Sequence, residues 1–413
     1  MRCEIIAIGT ELLLGQLVDT NSAWIGDQLA LGGIECHFQT RVGDNHARMV
    51  SVLRAALDRA DAVLCCGGLG PTHDDVTREA IAEVMGVDLV ADEAIAERIR
   101  ERFAARGRTM SENNLRQAMV PRGASTMAQQ PGTAPGLVCP VGDQVIYAVP
   151  GVPYEMKEMV SGTVLADLRR RGGLTSTIRS RTLRTWGQSE SGLAEILDER
   201  ITALDGAGNP TLAFNASGIE GIKVRITARA DDEDAANAML DAEEAALRSI
   251  LGDLVFGLDG TTMEAAVLAA CRDHGLRLAV AESVTGGLMA SRLTTVPGAS
   301  DTFVGGVVTY LPEIKRQLLG VADGPVVTED AAASMAAGVC RLLGADAAVA
   351  VTGVAGPEPA EGLEPGTVCV GVRVGDDTDT ATLRFPGDRV RVQQFATISA
   401  LDLLRRRLAA RPA

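Results

Sequence analysis

Three apolar runs in the last third of the chain end in side chains able to do chemistry. Ala281-Glu-Ser-Val-Thr-Gly-Gly287 follows a strand-like run and opens a helix, so Ser283 stands where a hydroxyl either caps or attacks. Tyr310 closes the next run, and Lys315 follows five positions later in the early turn of a helix. Thr352-Gly-Val-Ala-Gly-Pro357 ends a third. Open α/β sheets bring such strand ends to one edge, which would converge Ser283, Tyr310, Lys315 and Thr352. A serine nucleophile needs a base, and histidine is nearly absent: His37, His46, His73 and His274 are the four. Lysine is rarer still, with only Lys157, Lys223 and Lys315 among 39 basic residues. A desolvated lysine amine, or a tyrosine acidified by it, can take the histidine's place. Helix-start amides near Gly286 and Gly287 suit an oxyanion. The plain alternative is a Ser283 cap, a core Tyr310 and a solvated Lys315, each the usual reading when met alone.

A second constellation fills the first third. Gly9-Thr-Glu-Leu-Leu-Leu-Gly15, Gly67-Gly-Leu-Gly-Pro-Thr-His-Asp-Asp-Val-Thr77, Gly132-Thr-Ala-Pro-Gly136 and Pro150-Gly-Val-Pro-Tyr-Glu155 all fall at expected strand ends. Glycines there let backbone amides approach a phosphate. Thr72 or Asp74 reads as a helix cap, which leaves the run of small residues before them unexplained. Adjacent carboxylates repel phosphate unless a divalent cation bridges the two. Asp74 and Asp75, with Glu11, Asp44 and Glu155 from the other loops, are the candidate metal ligands.

These residues need a scaffold. Apolar strands at 3–8 and 61–66, a strand near 34–42 and helices near 20–32 and 46–59 alternate as βαβα, which predicts a doubly wound α/β domain over 1–171. Residues 172–258 read as a small α+β domain with strands 178–186, 211–216, 222–229 and 254–256 and helices 189–204 and 232–251. Its Gly218-Ile-Glu-Gly221 matches the G-x-x-G of RNA-binding KH modules in letters, but it joins two strands, and Glu220 would repel a phosphate. A hairpin turn is the expectation. From 259 to 413 the α/β rhythm returns. The expected fold class is therefore α/β, with two three-layer α/β domains joined by a small α+β domain.

Composition excludes several classes. The 413 residues carry 39 basic and 54 acidic side chains, a net charge of −15, which disfavours direct nucleic-acid contact. No apolar run reaches the ~18 residues of a membrane span. Glu4 sits where a signal peptide wants apolar residues, so the cytoplasm is the expected location. The eight cysteines lack a C-x-x-C pair and read as buried thiols.

Gly-Thr-Glu-Leu-Leu-x-Gly, Gly-Gly-Leu-Gly-Pro-Thr-x-Asp-Asp-x-Thr and Pro-Gly-x-Pro-x-Glu-Met resemble the molybdopterin-binding-like domain of the competence/damage-inducible CinA family. That resemblance implies metal-dependent hydrolysis of ADP-ribose to AMP and ribose 5-phosphate, with Mg, Mn or Co as cofactor. Thr10, Glu11, Asn21, Gly68, Gly70, Thr72, Asp74 and Asp75 would then line the site. Residues 262–410 resemble the family's amidohydrolase domain, which converts nicotinamide mononucleotide to nicotinic acid mononucleotide and ammonia without a cofactor. The resemblance makes Ser283 the nucleophile, Tyr310 and Lys315 the base, and Thr352 an assisting residue. It places Thr285, Gly286 and Gly287 at the substrate, with Gly353, Gly356 and Arg389 or Arg391 on its 5′-phosphate. It extends to a KH-like middle domain and a homodimer whose partners are pyridine nucleotides and ADP-ribose, without nucleic acid or membrane. Three departures stand out. Val284 replaces the family's Cys, and Leu311-Pro312 replaces the Ser-Asn of its Tyr-Ser-Asn-x-x-Lys run. The acidic stretch from Glu358 to Pro365 replaces a glycine cluster. Two rival readings remain: a non-catalytic nucleotide or molybdopterin binder at the N-terminus, and a non-enzymatic partner in competence or DNA damage.

Overall fold

The computed structural model describes residues 1–105, 107, 110–216 and 218–411. They form two units, one of Met1–Arg179 with Arg229–Ala236 and one of Ser180–Ala228 with Asn237–Ala413.

The first unit is built on a six-stranded sheet in the order Gln39–Val42, Cys3–Ile8, Ala62–Cys66, Gln144–Val149, Leu137–Val141, Ser125–Thr126. The first four are parallel and the last two antiparallel. Cys3–Ile8 and Ala62–Cys66 are buried at every position because helices cover both faces. Alternation along the strand divides the side chains between two cores: Ile6 and Ile8 meet the helices His46–Leu57 and Thr77–Met85, while Cys3 and Ile5 meet Thr20–Leu31 and Pro153–Met159. A helix runs from Pro153 to Arg171, with one π turn at Val160–Val164. The helix after the Gly67–Thr77 loop begins later than the cap reading placed it. Its N-cap is Val76, whose apolar side chain makes no capping hydrogen bond, and the Thr77 hydroxyl donates to the Gly67 carbonyl at 3.0 Å. Thr72 instead bonds Asp75 through both its amide and its hydroxyl.

A four-stranded sheet, most of whose residues fall in the second unit, runs Thr211–Ala216, Ile222–Ala230, Thr177–Thr185, Val255–Leu258. The expected helix 189–204 divides at Leu197 into Glu190–Ile196 and Asp198–Ala207. Thr211–Ala216 and Ile222–Ala230 pair antiparallel, and a 3-10 turn at Gly218–Glu220 closes the hairpin. Gly221 has φ +75, and a Cβ there would collide with the Thr185 carbonyl. The turn is not free in solvent: Ile219 packs on the C-terminal core, and the Glu220 carboxylate accepts from Arg184 at 2.8 Å and Arg292 at 3.0 Å. Arg292 also pairs with the buried Glu264. Trp186 stacks 5.6 Å from Phe395 in the same core.

The five-stranded sheet follows, in the order Phe303–Val308, Leu278–Glu282, Ala347–Gly353, Thr367–Val374, Asp377–Arg384. Its first three strands are parallel and the last two antiparallel. Met263–Asp273 and Arg389–Ala409 cover one face, and Glu329–Leu343 covers the other. All eight cysteines are free thiols, and only Cys36 escapes full burial.

Candidate functional site

Register explains how distant residues meet in the C-terminal sheet. Glu282 pairs with Val308 on one side and Val351 on the other, so Ser283, Thr309 and Thr352 are the next residues out on three adjacent strands. The Ser283 amide donates to the Val351 carbonyl at 2.9 Å, and the Thr309 amide to the Glu282 carbonyl at 2.8 Å. A cleft of about 440 Å³ opens beyond these ends, lined by Ser283, Tyr310, Lys315, Thr352, Gly353, Gly356 and Arg389.

Lys315 is the unusual member. Helix Pro312–Leu319 buries its stem to 2% exposure, and Pro312 occupies the first turn, where its missing N–H costs nothing. Its Nζ donates to the Tyr310 carbonyl at 3.2 Å. Burial disfavours the ammonium and moves the amine below its ordinary range, with the Glu361 carboxylate opposing that shift. The Tyr310 phenol is not part of this contact. It sits exposed at the rim and accepts from Arg389 Nη1 at 3.3 Å. The expected Tyr–Lys base therefore resolves into a buried amine and a separate Tyr–Arg rim. The Thr352 hydroxyl proton goes to the Val326 carbonyl at 2.8 Å, so this side chain can only accept from a ligand.

The helix-start amides are also committed differently. Gly286 donates to the Ser283 carbonyl at 3.1 Å and Gly287 to Glu282 Oε2 at 3.0 Å. Glu282, fully buried, also accepts from Met289 at 3.1 Å and Ala290 at 2.8 Å. These contacts organise the turn after Ser283 and leave neither glycine amide for an oxyanion. Thr285 is buried away from the cleft, and the Arg391 guanidinium lies 5.0 Å over Phe395. Of the two arginines proposed for phosphate, Arg389 alone reaches the cleft. Sequence reasoning missed Val326, Val327 and Glu361 in the cleft wall. Glu282 carried a signal: an acid directly before Ser283, at the end of an apolar strand.

In the first unit a cavity of about 480 Å³ is lined by all five candidate carboxylates, Glu11, Asp44, Asp74, Asp75 and Glu155, together with Gly68, Gly70 and Thr72. Gly68 has φ +66 and lies so close to Thr77 Oγ1 that a Cβ would collide with it. Arg78, buried, donates to the Leu69 and Gly70 carbonyls at 2.7 Å each and sets the loop's shape. Thr10 contributes by holding Asp44, from its amide at 2.8 Å and its hydroxyl at 2.9 Å. Asn21 lies in an adjoining hollow and donates to the Gly151 carbonyl at 2.7 Å.

All five acids supply the oxygen donors that a hard divalent cation takes. As placed they do not form a ligand set: among the described residues no three carboxylates, thiols or imidazoles converge on one point. Asp44 and Asp75 are already satisfied by Thr10 and Thr72. Also among the described residues, no helix is long and apolar enough to cross a membrane.

Comparison with known proteins covers nearly the whole chain. Residues 4–170 match the family described as "Probable molybdopterin binding domain", 180–257 the "Damage-inducible protein CinA KH domain" and 260–408 the "CinA C-terminal domain". A CinA-like protein of Frankia casuarinae is 46% identical across 100% of this chain and 97% of its own. One from Gloeobacter violaceus is 44% identical across 98% and 96%. The solved structure of CinA from Thermoplasma acidophilum is 33% identical over 41% of this chain and 97% of its own, with a TM-score of 0.38.

Proposed function

The chain belongs to the CinA family, and on that premise we propose that its C-terminal cleft hydrolyses the carboxamide of nicotinamide mononucleotide to nicotinic acid mononucleotide and ammonia. The observation that carries this reading is a buried Lys315 that lines one cleft with Ser283, a cleft with no histidine among its described lining residues. Lys315 takes the hydroxyl proton as Ser283 Oγ bonds to the amide carbon. The resulting ammonium returns that proton to the leaving nitrogen, the C–N bond breaks and ammonia departs. Water then cleaves the acyl-serine ester and releases the carboxylate product. Arg389 is the cation available to the 5′-phosphate, and its bond to Tyr310 holds it at the rim. The test is ammonia release from nicotinamide mononucleotide without added metal, compared with Ser283→Ala. Release should vanish in the variant, and normal turnover by Ser283→Ala would refute the serine mechanism.

For the first unit the reading is a nucleotide-binding cavity that, with Mg²⁺, Mn²⁺ or Co²⁺, cleaves ADP-ribose to AMP and ribose 5-phosphate. The unconverged carboxylates favour a second reading, a nucleotide or pterin binder without catalysis. AMP formation with any of the three metals decides for hydrolysis, and its absence with all three decides for the binder.

A further inference from the structure

We propose that Glu361 is a positioning residue for the C-terminal cleft, the fixed negative charge that steadies Lys315 when the amine takes up the Ser283 proton. The proposal rests on Lys315 being the base.

Glu361 stands in the acidic stretch that departs from the family's pattern, and its backbone has φ +53, a left-handed conformation that a non-glycine residue holds only when its surroundings require it. The requirement is visible. Both carboxylate oxygens accept from the Val326 amide, at 3.1 and 3.0 Å, and Oε2 also accepts from the Val327 amide at 2.9 Å. The same segment is gripped from its other side, since Thr352 donates to the Val326 carbonyl. Glu361 is thus tied to the cleft wall by neutral donors, and among the described residues no cation pairs with it. Glu361 and Lys315 line the same cleft, and the negative charge of Glu361 favours the Lys315 ammonium.

The other charges around Lys315 are less well placed for this role. Glu313 and Arg316 lie on its own helix, and Arg316 is drawn away by Asp323 at 3.2 Å and the Gly324 carbonyl at 3.0 Å. From the last helix Arg389 faces the cleft, bonded to the Tyr310 phenol, which itself sits at the exposed rim. Glu358 lies on the same loop as Glu361, and among the described residues it makes no hydrogen bond to the cleft wall. A proton moved onto Lys315 therefore creates a cation in a half-enclosed cleft whose anchored counter-charge, among the described residues, is Glu361. Replacing it with a neutral group makes that cation harder to form.

The measurement is the pH dependence of kcat/KM for ammonia release from nicotinamide mononucleotide by the full chain, for wild type, Glu361→Gln and Glu361→Gly. Glycine adopts φ +53 without strain, so the second variant removes the carboxylate while relieving the backbone. In both, the plateau should fall about tenfold. The rising limb should move to lower pH by about 1 unit, because an amine without its counter-charge loses its proton more readily. A lowered plateau with an unmoved limb in both variants would mean that Glu361 only shapes the loop, and overturns the proposal. So would an unchanged profile. Lys315→Ala, run in parallel, keeps the two levels apart. Wild-type turnover by that variant defeats the base reading, whereas an inactive Lys315→Ala beside an unmoved limb defeats Glu361 alone.

Discussion

Replacing Glu282 with glutamine isolates what a buried acid contributes next to Ser283. Its carboxylate takes three backbone N–H groups, Gly287 and Met289 on Oε2 and Ala290 on Oε1, and among the described residues forms no ion pair. Glutamine has the same shape but one acceptor oxygen. Oriented to keep the pair at Gly287 and Met289, it turns an NH₂ group toward the Ala290 amide, donor against donor. A hydrogen bond to a charged acceptor contributes about 1.5–3 kcal/mol, and an unsatisfied buried donor costs a further 1–3 kcal/mol or so. These effects overlap, so Glu282→Gln should destabilise the second unit by about 3 kcal/mol. In urea, with a slope of about 1–3 kcal/mol/M, the midpoint should fall by about 1 M or more. Tryptophan emission reports the transition because Trp186 is packed in the same core. The turn from Ser283 to Gly287 loses one of its anchors, so ammonia release by the folded variant should fall as well. A variant that unfolds at the wild-type urea concentration and turns over normally would show that the helix Leu288–Thr294 keeps its place without the carboxylate.

Two further outcomes are expected in the first unit. Burial would raise the Glu4 carboxyl, but hydrogen bonds from Arg59 and Thr40 outweigh it and hold the group below its usual range. Its folded pKa is thus depressed, so its contribution is complete above the unfolded value of about 4.3 and is lost as pH falls below it. Glu4→Gln should flatten the fall in urea midpoint between about pH 5 and 3, and an unchanged slope would contradict the assignment. Gly68→Ala places a methyl group against Thr77 Oγ1 in a left-handed conformation and should cost about 1–3 kcal/mol. Calorimetric titration with AMP should show weakened binding, and wild-type affinity would mean that this loop does not shape the nucleotide cavity.

Much of the C-terminal cleft was legible because strand ends are marked by what stops the apolar run. Leu278–Glu282 and Ala347–Gly353 announce themselves by composition, and parallel pairing brings Ser283 and Thr352 to one edge. Lys315 was legible through rarity. The Glu361 clamp was not, because its partners are backbone amides some 35 positions away, and an amide carries no sequence signature. The commitment of the Gly286 and Gly287 amides was hidden for the same reason. In the first unit, Thr72 and Asp75 satisfy each other inside the loop, so a cap-like motif stands five residues ahead of the helix it seemed to start. The helix Glu93–Ala105 went unread, since its surface is charged on most sides and only Ile95, Ala96 and Ile99 are buried.

The Glu220 turn changes where this chain can be divided. A KH module that grips nucleic acid needs its G-x-x-G loop open to a phosphate chain. Here a polyanion would have to displace Ile219 from a hydrophobic core and compete with Glu220 for both Arg184 and Arg292. The seam at residue 258 is therefore a line in the sequence with no matching line in space. Cutting there would leave Arg292 with half its carboxylates and strip Trp186 from Phe395. The C-terminal sheet and the Glu220 turn belong to one unit, Ser180–Ala228 with Asn237–Ala413.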